Sequence, residues 1–202
     1  MRPKLLFVTD PLCAWCWGTL PELEAARRQL GDEVEFDLIM AGMRVGTDEG
    51  LAEYNRRRLL KLWREVRQVT GQVFSEQFPA GFVFDSARAC RAVEMARHDG
   101  GGPPWAFFSR LQAAFFVDAR DTGKIDVLAD LLELDAGTVA GRVDDPQYGA
   151  AVDANVDLIE RLSAHALPNI QLDVGEGYRL LSGGYISSEF LVDGIRERMA
   201  TA

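Results

Sequence analysis

The chain has 202 residues, of which 48% are hydrophobic and 26% charged, and its formal net charge is −9. This length supports a buried core without disulfides, and the composition excludes the collagen-like, disordered and disulfide-scaffold classes. An acidic protein is poorly suited to nucleic acid or anionic lipid, since both present negative phosphates. We therefore expect no nucleic-acid partner and no membrane partner.

The sequence also predicts a cytoplasmic location. The first apolar stretch, Leu5–Val8, is shorter than the roughly 7–15 residues of a signal peptide. No apolar run approaches the roughly 20 residues of a membrane span. Three cysteines are too few, and the wrong parity, for a secreted disulfide framework. In reducing cytosol a close cysteine pair favours catalysis or metal binding over a structural bridge.

The first forty residues predict a βαβ unit. Leu5–Val8 is a buried strand, a helix runs from about Cys13 to Leu30, and Val34–Met40 is a second strand. Pro21 lies inside the helix, where it removes the hydrogen bond to the Trp17 carbonyl and should kink the helix rather than end it.

The middle of the chain predicts a bundle of helices, one of them capped by Asp85 or Ser86 and ending near His98. The region Gly137–Gly149 is expected to separate the last two without being helical. The other helices are predicted over residues 51–70, Trp105–Phe116, Ile125–Leu134 and Val152–Ala164.

The end of the chain returns to strand periodicity. Ile170–Val174 and Tyr178–Leu181 predict a hairpin, and Ser187 or Ser188 caps a last helix that reaches about Met199. The predicted fold class is α/β, with a βαβ…ββα domain interrupted by an inserted all-helical domain. The expected boundaries are 1–45, 46–165 and 166–202.

The pair Cys13-Ala14-Trp15-Cys16 follows a buried strand and opens a helix. Unpaired N–H groups and the helix dipole stabilise an anion there, so the Cys13 thiolate is favoured and can attack a disulfide. Cys16, one turn on and buried deeper, can resolve the mixed disulfide. A structural zinc site is the alternative, but it needs four ligands, and the chain has no second paired half-site.

The string DPLCAWCWG after an N-terminal strand resembles the DsbA-like family of thioredoxin-fold oxidoreductases, in its intracellular, FrnE-like branch of protein-disulfide isomerases. The resemblance extends to FDSARACRAVEMAR, to AFFVDARDTGKIDVLADL and to the closing YRLLSGGY, and so covers essentially the whole chain. It implies a thioredoxin fold and thiol–disulfide oxidoreductase or isomerase activity on protein or small-molecule thiols and disulfides. Electrons would reside in the cysteine pair and be exchanged with glutathione or another thiol, with no metal or organic cofactor.

The family also implies a cis-proline opposite the cysteine pair, and Pro168 occupies that place in the chain. The residue before it, Leu167, would present backbone groups to the extended substrate. Trp15 has two interpretations, an apolar rim around the nucleophile or a packing residue. Because Ala14 and Trp15 carry no charge, whereas DsbA has a histidine between its cysteines, we expect a more reducing potential than that of DsbA.

Other polar residues receive structural interpretations. Trp17 and Cys90 are expected in the core, and His98 near the end of its helix should meet the helix dipole. His165 is expected to be structural, although it could approach the active site. The basic stretch Arg56–Arg67 predicts a solvated helix face, with an anion or acidic-partner site as the alternative.

Two other functions stay open from the sequence. One is a kappa-type glutathione transferase or 2-hydroxychromene-2-carboxylate isomerase, although those relatives usually lack the intact cysteine pair. The other is a redox-sensing or zinc-holding interaction module that docks through the helical insertion. The sequence also leaves a homodimer open.

Overall fold

A computed structural model describes residues 2–43 and 52–201, with the side chain of Tyr54 excepted. In the described residues, strands from both ends of the chain form one sheet, and the middle of the chain is helical. The strands are β1 (Lys4–Thr9), β2 (Glu35–Met40), β3 (Asn169–Asp173) and β4 (Tyr178–Ser182). The helices are α1 (Ala14–Leu30), α2 (Glu53–Thr70), α3 (Ala87–Gly100), α4 (Trp105–Phe116), α5 (Ile125–Leu132), α6 (Ala136–Arg142), α7 (Pro146–Arg161) and α8 (Ser188–Thr201).

The sheet has the strand order β2-β1-β3-β4. β1 pairs in parallel with β2, as the βαβ crossover through α1 requires, and antiparallel with β3, which forms a hairpin with β4. β1 is fully buried from Leu5 to Val8 because it lies in the centre of the sheet with both faces covered. The predicted fold class, βαβ and ββα segments interrupted by helices, is confirmed.

Helices α2 to α7 all lie between β2 and β3 in the sequence. The predicted domain boundaries, 1–45, 46–165 and 166–202, stay predictions, and the first of them falls outside the described residues. The predicted helix over 51–70 begins at Glu53, so its expected first residue, Leu51, also lies outside them.

The segment after α2 provides hydrogen-bond partners for Trp17 in α1, whose carbonyl group loses its helical partner because of Pro21. α1 continues through Pro21 to Leu30. The Trp17 carbonyl, which loses its helical partner there, accepts a 3.0 Å hydrogen bond from Gln72 Nε2. The Trp17 indole N–H donates to the Val73 carbonyl at 3.0 Å, and its ring stacks on Phe116. Trp17 is therefore a core residue, as predicted.

An aromatic cluster binds α2 and α4 to the loop between α2 and α3. Trp63 is its centre, with ring centroids 4.4 Å from Phe78 and 5.3 Å from Phe116. Contacts of this kind contribute stabilisation beyond the buried area alone. The other members are Phe74, Phe82, Phe84 and Phe115.

The prediction of a non-helical region over Gly137–Gly149 is wrong. α6 occupies most of its first half, and α7 begins at Pro146 rather than Val152. Both helices are capped by an aspartate: Asp135 Oδ1 accepts from the Thr138 N–H at 2.8 Å, and Asp145 Oδ1 accepts from the Gln147 N–H at 2.9 Å. Each cap satisfies an N–H group in the first turn of its helix. The caps therefore stabilise helices in a region whose glycine residues favour a loop.

Candidate active site

Cys13 lies at the N-cap of α1, directly after the loop that leaves β1. Its backbone is extended, and its Sγ accepts a 3.2 Å hydrogen bond from the backbone N–H of Cys16. The Cys13 N–H in turn donates to the Asp10 carbonyl at 3.1 Å. An acceptor at this position satisfies a helical N–H and sits at the positive end of the helix dipole, which suits a thiolate.

Cys16 is the deeper sulfur of the pair. Its side chain is completely buried, whereas Cys13 retains 7% exposure. Burial raises the pKa of Cys16 well above its ordinary value, and the neighbouring Cys13 sulfur raises it further, against a smaller opposing effect of the Thr9 hydroxyl. Cys16 therefore remains a protonated thiol near neutral pH, which leaves Cys13 as the sulfur that can attack. Both are free thiols in this structure.

A cavity of about 330 Å³ opens at Cys13. Its walls come from the loop and first turn of α1, from one face of α2, and from the segment that leads into β3. Apart from Cys13 and His165, its described lining is Leu12, Ala14, Trp15, Met43, Leu59, Leu62, Trp63, Phe84 and Leu167. The site thus combines one accessible sulfur with an apolar surface, a common composition for a small binding site.

Two of the three residues predicted to bind substrate line this cavity. Trp15 is half-buried and lines it, as does Leu167, while Pro168 is buried. The Leu167–Pro168 peptide bond is cis. Asn169, the next residue, has a buried side chain whose Oδ1 accepts a hydrogen bond from Gln171 Nε2 at 2.8 Å.

A buried carboxyl group under the cysteine loop is the main feature that sequence reasoning missed. Asp10 accepts hydrogen bonds at Oδ1 from the Leu12 N–H (2.8 Å) and at Oδ2 from the Met43 N–H (2.7 Å) and the Ser86 hydroxyl (2.7 Å). Burial raises its pKa to about 6, against the lowering effect of these donors. The signal was present, since Asp10 belongs to the DPLC string, but the string was interpreted only through its cysteines.

This carboxyl group explains why one predicted cap is different in the structure. Ser86 precedes α3, as expected of a capping residue, but its side chain does not cap the helix. Its hydroxyl instead donates to Asp10 and lies 2.9 Å from the Met43 carbonyl oxygen. Asp85 Oδ1 accepts from the Ala87 N–H at 2.8 Å.

Cys90 lies in the core on the inner face of α3, as predicted. Its side chain is fully buried, 3.8 Å from Asp10 Oδ2 and 3.7 Å from the Ser86 hydroxyl. Burial raises its pKa well above the ordinary value, and the Asp10 charge raises it further. These conditions keep Cys90 a protonated packing residue.

The two histidines differ in their relation to the site. His98, at the end of α3, is exposed and lies 3.4 Å from Asp99. His165 lines the same cavity as Cys13, and its side chain is 62% exposed. The structure brings His165 to the cavity, which is the alternative that the sequence left open, and its expected structural role stays a prediction.

The basic stretch Arg56–Arg67 has two kinds of member. Arg57 and Lys61 are exposed and form i,i+4 pairs with Glu53 and Glu65, as predicted for a solvated face. Arg67 instead turns inward, where its guanidinium donates to the Phe74 carbonyl.

Among the described residues, no group of three or more His, Cys, Asp and Glu side chains is arranged to hold a metal ion. None of the helices in these same ranges is both long enough and apolar enough to cross a membrane.

The chain is similar to several solved structures over nearly its whole length, although neither a protein-family model nor a curated protein sequence matches it. One is a candidate protein disulfide isomerase from Nitrosomonas europaea (TM-score 0.88, 24% identity, 100% of this chain and 99% of that one). Another is the cytosolic disulfide reductase DsbM from Pseudomonas aeruginosa (TM-score 0.78, 25% identity, 98% and 100%). DsbM has also been solved with glutathione (TM-score 0.69, 26% identity, 98% and 96%).

A 2-hydroxychromene-2-carboxylate isomerase structure shares the fold at only 11% identity, with a TM-score of 0.65 over 98% of this chain and 96% of that one. That similarity concerns the fold alone. Taken together, the comparisons show that the chain has the DsbA-like thioredoxin fold.

Proposed function

We propose that this DsbA-like chain is a cytoplasmic thiol–disulfide oxidoreductase of the reductase or isomerase type. The observation that carries the proposal is the Cys13–Cys16 pair, with one sulfur at the helix N-cap facing a cavity and the other buried one turn behind it. The oxidoreductases among its structural neighbours support the activity, and the cytosolic DsbM supports the location.

In the proposed cycle the Cys13 thiolate attacks one sulfur of a substrate disulfide. A Cys13–substrate bond forms, the substrate S–S bond breaks, and its electron pair leaves on the other substrate sulfur. Cys16 then loses its proton and attacks Cys13 Sγ, which releases the second substrate sulfur as a thiol and leaves a Cys13–Cys16 disulfide. Two external thiols such as glutathione reduce this disulfide again.

The cavity gives each neighbouring residue a defined part in this cycle. The apolar walls, including Trp15, accept the carbon atoms that flank the substrate disulfide. The backbone of Leu167 borders the same space and can pair with an extended substrate chain, with Pro168 fixing its direction. No metal or organic cofactor is required, because both electrons reside in the cysteine pair.

The order of attack can be tested by trapping the intermediate. The Cys16→Ser variant, mixed with glutathione disulfide, should accumulate one glutathione per chain, and peptide mapping should locate it on Cys13. Cys13→Ser should acquire none under the same conditions, since its remaining thiols are buried. Adducts on Cys16 or Cys90 that form as fast as the Cys13 adduct would contradict the proposal.

A further inference from the structure

The cavity at Cys13 contains a second group that can exchange protons. Of the described residues that line it, only Cys13 and His165 have titratable side chains. His165 lies on the segment between α7 and β3, two residues before Leu167, and its imidazole is largely exposed.

Within the described ranges 2–43 and 52–201, one charged side chain pairs with this imidazole. Glu160 Oε1, on α7, lies 3.8 Å from His165 Nδ1, and both side chains are more than half exposed, so the pair is weakly coupled. The charged groups Arg58, Lys61 and Glu65 of α2 line the adjoining groove rather than this cavity. Among the residues that the structure describes, the His165 ring therefore has no strong partner, and it can act on a molecule in the cavity.

Disulfide exchange is assisted by a group that can donate a proton to the leaving sulfur. As Cys13 attacks, negative charge develops on the leaving sulfur, and the rate falls as the leaving thiol becomes more basic. Apolar walls solvate that charge poorly. An imidazole can transfer a proton near neutral pH, and this is how histidine most often assists a leaving group.

We propose that His165 is a catalytic acid that protonates the leaving sulfur when Cys13 attacks a disulfide, an inference that rests on the proposed function. In the step, the Cys13–substrate S–S bond forms and the substrate S–S bond breaks. The electron pair goes to the leaving sulfur, and the proton comes from the His165 imidazolium. The neutral imidazole then regains a proton from water.

The dimensions of the site fit this assignment. Attack is in line, and S–S bonds are about 2 Å long, so the leaving sulfur lies about 4 Å from Cys13 Sγ at the moment of exchange. A cavity of about 330 Å³ with both Cys13 and His165 on its walls has room for a small disulfide bound beside both side chains.

Two uncharged disulfides distinguish proton donation by His165 from electrostatic attraction of a substrate. Bis(2-hydroxyethyl) disulfide releases a basic alkyl thiolate that needs a proton, whereas 4,4′-dithiodipyridine releases an acidic thiol that does not. Because neither carries the negative charge that an imidazolium would attract, a difference between them reports proton transfer. Iodoacetamide, which alkylates Cys13 without releasing a thiol, reports the reactivity of Cys13 itself.

We expect His165→Ala to lower the rate with the alkyl disulfide about 100-fold, in the range of general acid catalysis. The rates with dithiodipyridine and iodoacetamide should stay at the wild-type value. His98→Ala is the matched control, since it removes the other exposed histidine, at the end of α3, and should leave all three rates unchanged.

Three results would overturn the inference: equal losses with both disulfides, no loss with either, or the same loss in His98→Ala. Because the His165 side chain is largely exposed, the variant should keep the wild-type fold, and its circular dichroism spectrum checks this. Failure of the proposed function would look different, because the wild-type protein itself would then form no Cys13–Cys16 disulfide with either reagent.

Discussion

The Ser86 hydroxyl donates a 2.7 Å hydrogen bond to Asp10 Oδ2, and both groups are completely buried. Asp10 follows β1 and precedes the cysteine pair, whereas Ser86 precedes the first turn of α3, far along the chain. The Asp10 carboxyl group therefore links the loop before Cys13 to the start of α3. It also holds Met43, the last described residue before the insertion begins.

Asp10 should make stability depend on pH between 4 and 6. The folded protein protonates Asp10 near pH 6, and the unfolded chain does so near 3.8, so the folded state binds more protons in this window and gains stability as pH falls. We expect the free energy of unfolding of wild type, relative to Asp10→Asn, to rise by about 2 kcal/mol from pH 7 to pH 4. Urea denaturation at several pH values measures it.

Asp135→Asn provides a control of opposite sign. Hydrogen bonds from Thr138 lower the pKa of Asp135, so its contribution to stability is present above the unfolded pKa and lost as pH falls. The wild type should therefore lose stability relative to this variant on acidification. An Asp10→Asn protein whose pH dependence is parallel to that of wild type would show that Asp10 does not titrate in this window.

Local signals in the sequence predicted much of this architecture, and tertiary contacts account for most of the rest. Trp105–Phe116 is a helix with the expected bounds. It was predictable because Pro103-Pro104 interrupts helical structure before it and its aromatic residues recur at helical spacing. α6 was missed because glycine content outweighed an aspartate cap that was visible in the sequence. Of the two expected caps, Asp85 accepts from the Ala87 N–H, whereas the Ser86 hydroxyl binds a carboxyl group 76 residues away that nothing local in the sequence reveals.

In the candidate site, too, local sequence predicts some features and tertiary packing decides the others. The Cys13–Cys16 spacing fixes one turn of helix, so a sulfur at the cavity and a deeper sulfur one turn behind it follow from the motif and its position after a strand. Which residues face Cys13 across the cavity depends on how α2 and the segment before β3 pack against the loop. Periodicity does not carry that information, so His165 was assigned to structure and Asp10 was overlooked.

The three thiols should differ sharply in reactivity. In the reduced native protein near pH 8, iodoacetamide should label Cys13 alone, because Cys16 and Cys90 are fully buried and burial raises the pKa of each. Mass spectrometry should find one adduct per chain. Three adducts in urea would show that all the thiols are present, and native labelling of Cys16 at the rate of Cys13 would contradict the assigned roles.

Gly18 should tolerate no side chain, since it lies where α1 meets α2. A Cβ there would be 2.8 Å from both Thr70 Cγ2 and Val66 Cγ1, on β-branched side chains with little rotamer freedom. We expect Gly18→Ala to lower the free energy of unfolding by about 1–3 kcal/mol despite the better helix propensity of alanine.

Gly149→Ala is the matched variant, because a Cβ at Gly149, within α7, meets no atom within 4 Å. It should be stabilising by up to about 1 kcal/mol. Equal effects of the two substitutions in thermal or urea unfolding would show that α1 and α2 are not in close contact.

Arg67 should matter more to stability than its neighbours in the basic stretch. Its guanidinium donates to the Phe74 carbonyl, whereas Arg57 is exposed and forms an ion pair with the exposed Glu53 across 3.6 Å. Arg67→Ala should cost about 1.5–3 kcal/mol of unfolding free energy, and Arg57→Ala less than about 0.5 kcal/mol. Similar losses in both variants would indicate that the whole stretch is a solvated face.

The central claim is that Cys13 and Cys16 form a catalytic dithiol. The most direct measurement is the redox equilibrium of the purified protein in glutathione mixtures, read by thiol labelling and mass, with Cys13→Ser as the control. The account predicts one cooperative two-electron transition, absent from the control, at a potential more reducing than that of DsbA. The absence of a transition in the wild-type protein, or a transition that persists in Cys13→Ser, would contradict it.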